Sequence, residues 1–123
     1  MKLTNKEIYN AATGIVAAFG QETKYIPVKL NFAIQKNLAT FSNLQQEIED
    51  SRLKIAKEYG TLDQDNKRYI IDESRAKEAE QELTDLLNME QEVEIRTCSL
   101  SVIEDIDLTL EQMQAIMFMI TED

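Results

Sequence analysis

The chain has 123 residues, of which 43% are hydrophobic and 29% are charged, and its formal net charge is −10. This length and composition predict one domain, residues 1–123, with enough apolar residues to form a core. The acidity disfavours direct binding to DNA, RNA or anionic lipid, because their phosphates repel such a surface.

A first helix is predicted at residues 5–19. Thr4 and Glu7 have the spacing of a capping box, in which a threonine hydroxyl caps the helix and a glutamate three residues later reaches back. Apolar residues recur at helical spacing through this segment. Gly20 is expected to end the helix in the left-handed conformation.

A long second helix is predicted at residues 28–59, because Pro27 suits a first turn and nothing breaks the helix before Gly60. Its apolar residues recur every seven positions, which is typical of a packed helical seam. The recurring residues are Ile34, Phe41, Ile48 and Ile55. Such a helix is about 48 Å long, against about 35 Å for a globule of this size, so we expect an elongated molecule.

Beyond this helix the sequence predicts a short strand at residues 68–71 and a third helix at residues 73–88, capped by Asp72. The alternation in "EVEIRT" predicts another strand at residues 93–97. We expect these two strands to form a small sheet.

A fourth helix is predicted at residues 110–121, because Thr109 and Gln112 also have capping-box spacing. The predicted fold class is therefore α+β and mostly helical. It comprises one long central helix, three shorter helices and a small two-stranded sheet.

The fourth helix contains six consecutive apolar residues, 115–120, and so has no polar side there. We expect its inner face to be formed by Leu110, Met113, Met117 and Ile120. Phe118 would then point outwards and Met119 would lie at the edge, and clustered exposed apolar side chains mark interaction surfaces. Phe118 and Met119 are therefore predicted to lie in a homo-oligomer contact. Insertion of the helix between the long helix and the sheet is the alternative.

The residue types that most often carry catalysis are missing. The chain has no histidine, which removes the usual general base and the usual zinc ligand. Cys98 lies in an apolar context that predicts a buried thiol, and the three glycines are too far apart for a phosphate loop. Residues 63–74 resemble a calcium loop only at their first positions. We therefore expect no enzyme activity, no cofactor and no metal.

The charge distribution points to a protein partner. Residues 73–123 carry fourteen acidic and three basic side chains. Glu78, Glu82 and Asp85 fall on one side of the third helix, and we predict that they bind a partner protein. Lys29 and Lys36 share a face of the second helix, which is either a polar contact site or simply a solvated surface.

The expected location is inside a cell. A single cysteine suggests a reducing compartment. The first residues lack the apolar region of a signal peptide, and no apolar run approaches the roughly 20 residues that span a bilayer.

The segments at residues 26–29, 36–37, 92–95 and 108–120 together resemble a family of small proteins encoded by phages and prophages of Gram-positive bacteria. The resemblance implies a phage product acting in the host cytoplasm and brings no active site with it. Two roles fit this context. One is an acidic inhibitor that binds a host protein, such as a defence protein, directly. The other is a component of the virion or of tail-module assembly.

Overall fold

The computed structural model describes residues 1–21 and 25–122. Along the chain lie β1 (Lys2–Thr4), α1 (Asn5–Phe19), α2 (Val28–Tyr59), β2 (Gly60–Asp63), β3 (Arg68–Ile71), α3 (Ala76–Asn88), β4 (Glu90–Glu92), β5 (Cys98–Ser99), α4 (Leu110–Ile116) and β6 (Ile120–Thr121). Short 3-10 helices occupy Glu73–Arg75, Leu100–Val102 and Met117–Met119. The predicted fold class, mostly helical α+β with one long helix, is confirmed.

The first two helices pack against each other at the centre of the core. α1 begins at the predicted capping box, in which Thr4 Oγ1 accepts from the Glu7 N–H at 3.1 Å and Glu7 Oε1 accepts from the Thr4 N–H at 3.0 Å. The predicted seam of α2 is buried at Ile34, Phe41 and Ile48. Each of these side chains contributes about 1.5–3 kcal/mol through its burial.

The strands of the described residues form three two-stranded sheets, of which two join distant segments and one is a local hairpin. β1 pairs with β4 and β2 with β3, both antiparallel, while β5 and β6 are parallel. The predicted pairing of residues 68–71 with residues 93–97 is wrong. Residues 68–71 instead pair with the segment just before them, and closing such a short loop costs less entropy than closing a long one. Residues 93–97 form no strand.

The predicted last helix is shorter than expected. α4 ends at Ile116, the chain tightens into one 3-10 turn, and β6 then pairs with β5. The 3-10 turn has about 3.0 residues per turn instead of 3.6, so it changes which side chains face the core. Six apolar residues in a row thus belong to three different elements and do not form a helix that is apolar all round.

Two predicted helix ends also differ. Gly20 is right-handed, with φ −62°, because its N–H still bonds to the Val16 carbonyl at 2.8 Å and so continues the helical pattern. Asp72 makes no cap bond, since its carboxylate accepts from the Thr61 hydroxyl at 3.1 Å. A 3-10 turn therefore precedes α3.

Among the residues that the structure describes, three polar side chains are buried: Asn5, Asn37 and Gln112. Asn5 Nδ2 donates to the Leu86 carbonyl at 2.7 Å, and its Oδ1 accepts from Gln91 Nε2 at 2.6 Å. Because buried polar groups are costly unless paired, each of these bonds fixes one element against another. Asn5 thereby joins the start of α1 to α3 and β4.

Candidate functional site

Glu78, Glu82 and Asp85 form one exposed face of α3, here called the acidic face. Positions four and seven apart lie on the same side of a helix, and this set spans about 10 Å along its axis. Asp85 Oδ1 accepts from Gln81 Nε2 at 2.8 Å, which orients that carboxylate. The three residues singled out in the sequence therefore lie together on the surface.

The C-terminal end of α2 supports the acidic face. Tyr59 is buried at 8% exposure, and the Arg75 guanidinium carbon lies 4.3 Å from the centre of its ring. Burial, together with the charge of Glu82 and a hydrogen bond with it, raises the pKa of Tyr59 above its ordinary value. Arg75 also lies 3.9 Å from Glu78 and 3.6 Å from Glu58. Tyr59 and Arg75 thus contact two of the three acidic side chains, Glu82 and Glu78, at one edge of the acidic face.

The C-terminal apolar side chains that face the core are not all the ones that the sequence predicts. Met119 is fully buried, and the half-buried Phe118 packs on Phe41 with ring centres 5.5 Å apart. Met117 and Leu110, which were expected to face inwards, are 59% and 75% exposed. Met113 and Ile120 pack against the core as predicted, so the predicted inner face is wrong at two of its four positions. At Met117 the reason is that the chain tightens into a 3-10 turn where a continuous α-helix is predicted. Phe118 and Met119 are thus not themselves the exposed apolar side chains on which the predicted self-association is based, and the self-association stays a prediction.

A cationic surface lies on the N-terminal third of α2. Lys29 and Lys36 share this face as predicted, and Arg96 joins them from the irregular segment between β4 and β5. The Arg96 guanidinium carbon is 4.9 Å and Lys36 Nζ is 5.8 Å from the ring centre of Phe32, within range of cation–π attraction. Concavities of about 430 and 390 Å³ flank Arg96. We call this surface, formed by Lys29, Phe32, Lys36 and Arg96, the cationic groove.

Sequence reasoning missed Arg96 because residues 93–97 were assigned to a strand. One signal was present: Asn37 interrupts the otherwise apolar buried side of α2, which includes Ile34 and Phe41. A buried amide must find partners, and Asn37 finds them in the backbone of Arg96. No local pattern in the sequence identifies which backbone it is.

An apolar groove of about 380 Å³ lies between α2, α3 and the β2–β3 hairpin. Ile55, Tyr69 and Leu83 are among its lining residues, and Ile71 at its edge is 36% exposed. We call it the hairpin groove. No local pattern in the sequence predicts the hairpin groove, because the groove depends on how the hairpin folds back on α2.

The first residues of the segment that resembles a calcium loop form the turn of the β2–β3 hairpin, and the rest of it continues into β3 and the following 3-10 turn. Asp63 uses its two carboxylate oxygens within that turn, accepting from the Asp65 N–H at 3.1 Å and from Asn66 Nδ2 at 2.7 Å. Within residues 1–21 and 25–122, no three Cys, Asp or Glu side chains are grouped so as to hold a metal ion.

Comparison with models of protein families, with characterised proteins and with solved structures finds no match to this chain. In the part of the chain that the structure describes, none of the helices combines the length and apolar character needed to cross a membrane.

Proposed function

We propose that this chain is a non-catalytic binding protein of a phage or prophage that inhibits a host protein, such as a defence protein, by direct contact in the host cytoplasm. The observation that carries the proposal is the acidic face of α3, where Glu78, Glu82 and Asp85 are all exposed. The resemblance of the sequence to phage proteins supplies the cellular context.

The acidic face suits a partner with a positively charged surface. Its carboxylates are oriented by neighbours, so fewer side-chain rotamers need to be ordered when a partner binds. Complementary charges speed association and select partners more than they add affinity. A host protein whose basic surface normally contacts nucleic acid is the kind of partner that fits, because clustered carboxylates can occupy the place of phosphates.

The experiment is capture of the tagged chain's partner from host lysate, followed by binding of the purified pair at several salt concentrations. The test variant combines Glu78→Gln, Glu82→Gln and Asp85→Asn. Glutamine at position 82 keeps a polar side chain next to Tyr59. The matched control is Glu104→Gln, Asp105→Asn, Asp107→Asn, which removes the same charge from exposed residues between β5 and α4.

Binding is expected to weaken with rising salt and to be lost in the acidic-face variant but not in the control. Charges on an exposed contact are screened over about 10 Å at 0.1 M salt, so the effect is largest at low ionic strength. If both variants bind the captured protein like the wild type at low salt, the proposed role of the acidic face is wrong.

The hairpin groove favours a second candidate, a component of the virion or of tail-module assembly. Its lining is largely apolar, and Ile71, one of the lining side chains, is 36% exposed. Exposed apolar surface of this kind marks protein contacts. Purified phage particles that retain the tagged chain would favour assembly, and so would a gene position among tail genes. A position among early genes would favour inhibition.

A further inference from the structure

We propose that the cationic groove is a second binding site, which takes an acidic peptide segment of a partner protein in which carboxylates alternate with apolar side chains. This goes beyond the role of the acidic face, because it uses other residues, the opposite charge and the other end of α2. Lys36 and Tyr59 are 23 residues apart in that helix, which corresponds to about 35 Å.

The cations of the groove form no ion pairs with acidic side chains in the described part of the chain. Among residues 1–21 and 25–122, the ion pairs shorter than 4.0 Å involve neither Lys29 nor Lys36 nor Arg96. Glu94 lines the concavity beside Lys36 but forms no ion pair. In a chain with a net charge of −10, three cations gathered without acidic partners form a local site for an anion.

Arg96 is held in position before any ligand arrives. Asn37 Oδ1 accepts from the Arg96 N–H at 2.8 Å, and Asn37 Nδ2 donates to its carbonyl at 2.9 Å. The guanidinium rests on the Phe32 ring, which itself is 47% exposed. A guanidinium fixed in this way loses little freedom when its planar donors meet a carboxylate.

The spacing of the cations suits a short extended segment. Lys29 and Lys36 are two helical turns apart, about 10 Å, while carboxylates two residues apart on the same side of an extended chain are about 7 Å apart, a difference that the flexible lysine side chains can span. Arg96 lines both concavities, one shared with Lys29 and the other with Lys36. Two carboxylates of one segment can therefore each meet a different pair of cations.

The lining of the groove favours a peptide over nucleic acid. Val28 and Val102 line the larger concavity together with Phe32 and offer apolar contact between the charges. Nucleic-acid binders typically neutralise about 6–10 phosphates, whereas this site has three cations on an otherwise acidic protein. The first turn of α2 lacks acidic residues, so the positive end of the helix dipole adds to the attraction for a carboxylate.

The test is fluorescence polarisation with a short labelled peptide in which aspartate and leucine alternate. The control peptide has asparagine in place of aspartate. Arg96→Gln is the test variant, and Lys57→Gln, which removes an exposed cation from the far end of α2, is its matched control. Circular dichroism verifies that both variants remain folded.

We expect the aspartate peptide to bind at low salt and the asparagine peptide to bind at least about tenfold more weakly. Arg96→Gln is expected to weaken binding about tenfold and Lys57→Gln less than twofold. The proposal is overturned if neither peptide binds, if both bind equally, or if Arg96→Gln has no more effect than its control. It is also overturned if inorganic phosphate or a short single-stranded DNA displaces the peptide at lower concentration than unlabelled peptide does.

Discussion

The buried side-chain amide of Asn37, in the N-terminal third of α2, bonds to both backbone polar groups of Arg96, at 2.8 and 2.9 Å. Asn37 Nδ2 also lies 3.4 Å from the sulfur of Met119. One side chain therefore fixes the irregular segment at residues 93–97 and touches the C-terminal turn. This contact replaces the strand pairing that the alternation in residues 93–97 had suggested.

Asn37→Ala is expected to destabilise the fold by about 1–3 kcal/mol, because it leaves the part-buried backbone N–H and C=O of Arg96 without their partners. Urea unfolding followed by circular dichroism measures the loss. Asn43→Ala is the matched control, since Asn43 is exposed on the same helix, and its effect should stay within about 0.5 kcal/mol. Equal effects of the two substitutions would show that the Asn37–Arg96 contact adds no stability.

The helices are predictable from the sequence because their signals are local. Both predicted capping boxes form, at Thr4 and at Thr109. α2 starts directly after Pro27 and ends directly before Gly60, as expected from the proline and glycine positions. The acidic face is predictable for the same reason. Once a segment is known to be helical, the spacing of its residues determines which side chains lie on the same side of the helix.

The sheets and the cationic groove depend on contacts between distant parts of the chain. Lys36 and Arg96 meet only because residues 93–97 cross α2, and Cys98 pairs with Ile120 in a parallel ladder that no spacing rule indicates. Apolar and polar residues do alternate in residues 93–97. However, the side-chain amide of Asn37 supplies the backbone hydrogen bonds of Arg96 that a neighbouring strand would otherwise provide.

Substitutions at Met117 and Met119, two residues apart in the C-terminal segment, are expected to differ strongly in their effect on stability. Met119→Glu is expected to cost about 3 kcal/mol or more, because it buries a carboxylate in an apolar core. Met117→Glu should remain within about 0.5 kcal/mol of the wild type, since Met117 is 59% exposed. Thermal or urea unfolding of the two variants checks the difference. The reverse order of stability would restore the face assignment made from the sequence.

Gln112 is predicted to contribute more to the stability of the fold than an ordinary capping residue does. Its Oε1 accepts from the Thr109 N–H at 3.0 Å, and its Nε2 donates to the carbonyl of Ala18 at the end of α1 at 3.2 Å. Gln112→Ala should therefore lower stability by about 1–3 kcal/mol. Gln114→Ala, at an exposed position of the same helix, should change it by less than about 0.5 kcal/mol. Similar midpoints in urea for both variants would contradict the proposed link between α4 and α1.

Tyr59 should titrate at a higher pH than an ordinary tyrosine when the folded protein is taken to alkaline pH. Burial and the neighbouring Glu82 carboxylate raise its pKa above the ordinary value of about 10. Since the folded state holds this proton more tightly than the unfolded chain, the associated stability is complete below the unfolded pKa. It is lost as the pH rises through the raised folded pKa.

Tyrosinate absorbance against pH therefore has one late component among the four tyrosines. Tyr59→Phe should remove that component and reduce the loss of stability at alkaline pH. Glu82→Gln should move the component to lower pH, because the carboxylate no longer opposes ionisation of the phenol. Tyr69→Phe is the control and should leave the late component in place. A wild-type titration with a single step at the ordinary tyrosine pKa would show that Glu82 does not hold the Tyr59 proton.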